Sequence, residues 1–181
     1  MINLKYRLCF FLSVVLSSCS NDPEVVKEFI VSKDLPIEKI EGAELLHTDN
    51  GNLKVRIVAS TIERFQNKQP QLIFSNGLEV VFYDDTTVQS ILEAENAEID
   101  EQKKIMTASN NVILTSSDGK KLETEELIWD EQENKIYTDN KVVITTGREV
   151  VEGDGFVSNP DFTEYSVSKI HGTFDFETTT D

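Results

Sequence analysis

Residues 97–114 read AEIDEQKKIMTASNNVIL, and residues 127–144 read LIWDEQENKIYTDNKVVI. The two stretches lie thirty positions apart and hold DEQ, one Asn and one Val in register while most other positions drift. A repeat of this length is one supersecondary unit stacked on a copy of itself. Aligned without gaps, it pairs Leu92/Leu122, Ala94/Thr124, Ala97/Leu127, Ile99/Trp129, Met106/Ile136, Ala108/Thr138, Val112/Val142 and Leu114/Ile144. Glu93/Glu123 and Glu95/Glu125 fall between them. Alternate residues of a strand face opposite sides, so the apolar pairs mark one face and the glutamates the other. The slip from 94 to 97 breaks the alternation and predicts a bulge or bend there.

Strand patterns extend upstream, in LKVRIVASTIERF (53–65) and LEVVFYD (78–84). Turn residues punctuate the chain at Asp49-Asn50-Gly51, Asn76-Gly77, Asp84-Asp85, Asn110-Asn111, Asp118-Gly119 and Asp154-Gly155. A turn signal every ten residues or so, with no long helical stripe, predicts an all-β sandwich or roll.

The chain opens MINLKYRLCFFLSVVLSSCSND, with Lys5 and Arg7 before an apolar run from Leu8 to Leu16. That run is shorter than the roughly 20 residues a bilayer span needs. It ends in Leu16-Ser17-Ser18-Cys19, which resembles a bacterial lipobox: small residues before the cut, then a thiol to be acylated. Residues 1–18 are therefore read as a lipoprotein signal peptide and 19–40 as an acylated tether. A roll follows at 41–176, with a disordered tail at 177–181. Cys9 leaves with the signal and Cys19 takes the lipid, so no disulfide is expected.

Thirty-three acidic residues against seventeen Lys and Arg give a net charge of −16. Nucleic acid is not the expected partner, because phosphate-binding surfaces need clustered cations. The acidity reads as a self-repelling, solvated surface. His47 and His171 lack metal-ligand spacing, so no metal is expected. Glu93, Glu95, Glu123, Glu125 and Glu126 fall mainly on the polar face, and no serine occupies a nucleophile elbow, so no catalytic residue or cofactor is expected. No phosphate-binding GxxxxGK[ST] loop occurs in the sequence.

Six stretches carry a resemblance: LHTDNGNLKVRIVASTIERF, FSNGLEVVFYDD, VQSILEAENAEID, SNNVILTSSDGKKLETEELIWD, KIYTDNKVVIT and VVEGDGFVSNPDFTEYSVSKIHG. In this order, over about residues 38–172, they resemble the LptC family, the periplasmic component of the lipopolysaccharide export machine. The resemblance implies a twisted, partly open β-jellyroll of the OstA/LptA-like kind. It also implies a membrane-anchored protein that receives lipopolysaccharide from an inner-membrane ABC transporter and passes it to a periplasmic bridge.

On that reading Leu92, Ala94, Ala97, Ile99, Met106, Val112, Leu114, Leu122, Leu127, Trp129, Ile136, Val142 and Ile144 line a groove for acyl chains. Trp129, whose N–H needs a partner when buried, is expected at a sheet rim. By resemblance, an edge strand near 165–171 meets an LptA-like protein, and a first strand near 43–48 meets the transporter's periplasmic domain. Gly153, Gly155 and Gly172 fall where the family carries turn or bulge glycines; another use is to admit a neighbouring roll's edge.

Family members commonly hold a membrane-spanning helix where this chain has Cys19. This layout is familiar from bacteria of the Bacteroidetes type, and it places the protein in the periplasm, lipid-anchored, at the inner membrane of a Gram-negative cell. Alternatives are an LptA-like bridge lipoprotein, or a glycan-binding lipoprotein using exposed aromatics.

Overall fold

The computed structural model describes residues 35–171. The signal peptide, Cys19, most of the tether, Gly172 and the tail at 177–181 lie outside them. Eleven strands form one antiparallel sheet, and no helix occurs among the described residues. They are β1 (Glu38–Asp49), β2 (Asn52–Arg64), β3 (Leu72–Asp84), β4 (Thr87–Ala94), β5 (Asn96–Asp100), β6 (Ile105–Ser116), β7 (Lys121–Asp130), β8 (Lys135–Thr145), β9 (Val150–Ser158), β10 (Tyr165–Val167) and β11 (Ile170–His171).

The lateral order is β1-β2-β3-β4-β6-β7-β8-β9-β10. β5 continues the lane of β4 between β3 and β6, and β11 continues that of β10 beside β9. β1 opens at Glu38, inside the stretch read as tether, because Lys39 and Ile40 pair with Glu63 and Ile62 across the ladder to β2.

The DEQ motif builds the hairpin at the foot of each repeat. Asp100 Oδ1 accepts the backbone N–H groups of Gln102 (3.1 Å) and Lys103 (3.0 Å), and Lys104 then takes a positive φ of 57°. In the second copy Asp130 Oδ1 accepts Glu133 N–H at 2.9 Å, and Asn134 has φ 49°. The aspartate side chain imitates a backbone turn, which is why it persists while its neighbours drift. The copies also clasp each other, through Lys104 Nζ to Glu131 (2.9 Å) and Glu131 N–H to the Lys104 carbonyl (3.1 Å).

The Asn shared by the two copies has a task of its own in the first of them, at Asn110. Three of the presumed turns, Asn76-Gly77, Asn110-Asn111 and Asp154-Gly155, lie in the middle of β3, β6 and β9 instead. Asn76, Asn110, Asn111 and Gly155 have φ of 65°, 65°, 51° and 90°. Left-handed backbone inside a strand makes a bulge rather than a reversal, and Asn and Gly supply it at low cost.

These bulges align across the sheet. Registers shift at Ala59/Thr61, Ser109/Val112, Thr124/Ile128 and Thr138/Lys141, while Glu95 separates β4 from β5 at the predicted slip. Hydrogen bonds run along the belt, from Gly77 N–H to Glu95 O (2.8 Å), Glu95 N–H to Asn110 O (3.0 Å) and Ser168 N–H to Gly155 O (2.9 Å). A bulged strand bends. With every lane bent at one height, the sheet folds over and encloses a single core between its two halves. This is the all-β, jellyroll-like architecture expected.

Candidate functional site

The thirteen apolar candidates all face this interior. Leu92 and Ala94 come from β4, Ala97 and Ile99 from β5, and Met106, Val112 and Leu114 from β6. Leu127, Leu122 and Trp129 belong to β7, and Ile136, Val142 and Ile144 to β8. Leu114, Leu122, Ile136, Val142 and Ile144 have 0% exposure, so they form shut core. Only Ile99, Met106 and Trp129 of the set reach an opening. Glu93, Glu95, Glu123 and Glu125 are exposed on the opposite face.

The opening is a cleft of about 350 Å³. One wall is Leu45 of β1 with Val55 and Ile57 of β2; the other is Leu72, Ile99, Met106 and Trp129, from the far halves of β3, β5, β6 and β7. The repeat could not reveal the first wall, because β1 and β2 precede it. The signal was the alternation Val55, Ile57, Ala59 in LKVRIVA, all three buried.

A second, more polar cleft of about 560 Å³ adjoins it, lined by His47, Asp49, Lys54, Tyr83, Asp84, Gln89, Asn134 and Asp161 among others. His47, Trp129 and Glu131 line both. Phe82 of β3 meets Trp129 edge-on, with ring centroids 5.4 Å apart and planes at 87°, and this contact fixes the indole across the two layers. Trp129 Nε1 is shut off from solvent and has no acceptor among the described residues.

Elsewhere the lip is closed. Ser90, fully buried on β4, donates to the Pro160 carbonyl at 2.5 Å. Phe162 is fully buried with φ 57°, and its ring lies 5.4 Å from Phe156 and 5.2 Å from Tyr165. Asn159 Oδ1 holds the segment by accepting Thr163 N–H (3.1 Å) and Glu164 N–H (3.0 Å). The roll is thus sealed beside β4 and β9 and open beside β1 and β7.

The lysines at the clefts are already matched with carboxylates: Lys54 with Asp84 at 3.6 Å and Lys104 with Glu131 at 2.9 Å. Below the apolar cleft, the Lys103 ammonium donates to Asp100 and holds its carboxyl below the ordinary carboxylate value. His171 lies 3.1 Å from Asp154 on the sheet edge, far in sequence from His47 at the cleft. No group of three His, Cys, Asp or Glu side chains suited to a metal occurs among the described residues. The arrangement therefore offers dry aliphatic walls beside a polar mouth, which suits sheltering hydrocarbon.

Residues 8–168 match the family described as Lipopolysaccharide-assembly, LptC-related. None of the curated proteins searched matches the chain. The match spans most of the 181 residues, so the chain belongs to the LptC family, whose members serve lipopolysaccharide transport in the periplasm at the inner membrane.

Proposed function

We propose that this LptC-family chain receives lipopolysaccharide from the inner-membrane ABC transporter and passes it to the next roll, with the apolar cleft sheltering acyl chains in transit. The observation that carries this reading is the apolar cleft where the core opens between Leu45, Val55 and Ile57 on one layer and Ile99, Met106 and Trp129 on the other.

Magnitudes support a transfer site over a storage site. At about 0.8 kcal/mol per buried methylene, a fully sheltered chain of a dozen carbons gains about 10 kcal/mol. Ligand pockets run from about 300 to 1,000 Å³, so a cleft of about 350 Å³ covers only part of a many-chained lipid. Partial shelter keeps the hold weak enough for cargo to leave.

The two sheet edges suit the expected partners. Among the described residues, β1 has β2 on one side only, and the lane of β10 and β11 has β9 on one side only. Unpaired edges accept a further strand by main-chain hydrogen bonding. On this reading β1 joins the transporter's periplasmic domain and the 165–171 edge joins an LptA-like bridge. Acylated Cys19 tethers the chain to the membrane; multiple acyl chains give a lasting anchor.

Photo-crosslinking decides the central claim. A crosslinker at Ile57, Ile99 or Met106 should capture labelled lipopolysaccharide, whereas one at Glu93 or Glu123 should not. Equal capture from both sets would overturn the cleft as the transit site.

A further inference from the structure

We propose that the Trp129 indole N–H is the donor that engages the head end of a sheltered chain, through the ester, amide or hydroxyl oxygen that joins chain to headgroup. This rests on the reading that the apolar cleft takes acyl chains. Three observations on one residue carry it. Trp129 lines both the apolar and the polar cleft, so it stands where the hydrocarbon of an amphiphile would give way to its polar end. Its Nε1 is closed to water with no acceptor among the described residues, a state that natural structures seldom leave without a reason. Its ring meets Phe82 edge-on, which keeps the indole beside the junction, and a turn of the indole as a chain enters uncovers the N–H for the oxygen.

The surrounding charges specify which oxygen it takes. Asp49, Asp84, Glu131 and Asp161 line the polar cleft, and Lys54 and Lys104 are matched with Asp84 and Glu131. A phosphate dianion placed here would meet carboxylates with no unmatched lysine to offset them. A neutral carbonyl or hydroxyl oxygen needs one donor and no countercharge. The junction therefore selects a neutral acyl linkage and leaves phosphates to project outward. An occupied site also removes the penalty of the orphaned donor, so the oxygen adds selectivity rather than bulk affinity.

Trp129 is the sole tryptophan in the chain, so its fluorescence reports its own surroundings. Two probes of one chain length separate the claims: a monoacylglycerol with a dibrominated octadecanoyl chain, and dibromooctadecane, which lacks oxygen. Both should quench Trp129, and the ester should bind about tenfold more tightly. In Trp129→Phe, followed by equilibrium dialysis of radiolabelled probes, that preference should vanish while the alkane binds as before. Thermal unfolding of the variant should stay within a few degrees of the parent, since Phe keeps an aromatic ring at the cleft and the loss of part of the indole is offset by removal of an unpartnered donor. Quenching by both probes with equal affinity, or a preference that survives in Trp129→Phe, overturns the role of the indole and leaves the cleft standing. Quenching by neither overturns both.

Discussion

Gly153 of β9 has no room for a side chain: a Cβ built there would lie 2.5 Å from Val167 Cγ1 and 2.7 Å from the Ser168 carbonyl. Its backbone is not left-handed, unlike that of Gly155, so close approach alone requires the glycine. What approaches is the chain's own β10–β11 lane, rather than a neighbouring roll. Gly153→Ala should therefore push this lane off β9. The expected loss is about 1–3 kcal/mol, with faster amide exchange confined to residues 165–171. Protection unchanged there would show that the lane yields without detaching.

The shut and open parts of the interior should respond differently to truncation. Leu122, at 0% exposure, should lose about 2–5 kcal/mol on replacement by Ala, since the cavity left cannot fill. Ile99 is half-buried and borders the cleft, so Ile99→Ala should cost about 1 kcal/mol. Ile99→Asp should abolish capture of acyl probes while the fold persists. Chemical denaturation and probe binding, measured on the same samples, separate the two effects.

Acid should loosen the closed part of the lip. The Lys120 ammonium, first, and the Ser116 hydroxyl, second, hold the Asp118 carboxyl down to about 2, from an ordinary 3.8. Lys120 also lies 5.9 Å from the Phe162 ring centroid. A depressed carboxylate adds stability above its unfolded pKa and loses it as pH falls through the folded value. The contribution of Asp118 should therefore be complete above about pH 4 and fade towards pH 2. In melting curves against pH, the gap between the parent and Asp118→Asn should be widest above pH 4 and shrink below it. A constant gap would mean that the ammonium does not hold the carboxylate in solution.

The proposed anchor has a direct assay. Cells grown with labelled palmitate should label the parent chain and not Cys19→Ser. The variant should also move from the membrane to the soluble fraction. Label retained in Cys19→Ser would place the lipid elsewhere.

Much of the fold was legible because the thirty-residue echo combines period-2 alternation with turn chemistry, and both signals are local. Asp49-Asn50-Gly51, Asp84-Asp85 and Asp118-Gly119 marked true reversals, and the slip at 94–97 marked the break at Glu95, whereas the hairpins at Asp100 and Asp130 were not read from their DEQ motif. The same chemistry misled at Asn110-Asn111: a left-handed residue reads alike in a reversal and in a bulge, and only the partner strand decides between them. The candidate site was half legible. Ile99, Met106 and Trp129 followed from the echo, whereas Leu45, Val55 and Ile57 share its inward face but sit outside its period. That Leu122 and Val142 are shut in while Ile99 is open depends on how the layers overlap, and alternation carries no information about that.

The meander has a kinetic corollary. Each ladder joins lanes adjacent along the polypeptide, so most backbone pairing closes short loops, an arrangement associated with fast assembly for a β protein. The Ser90–Pro160 bond bridges 70 positions, and together with the Phe82–Trp129 contact it must await docking of the two layers. Hairpins should accordingly nucleate early and the lip mature last, leaving the oily interior briefly uncovered in each newly made molecule.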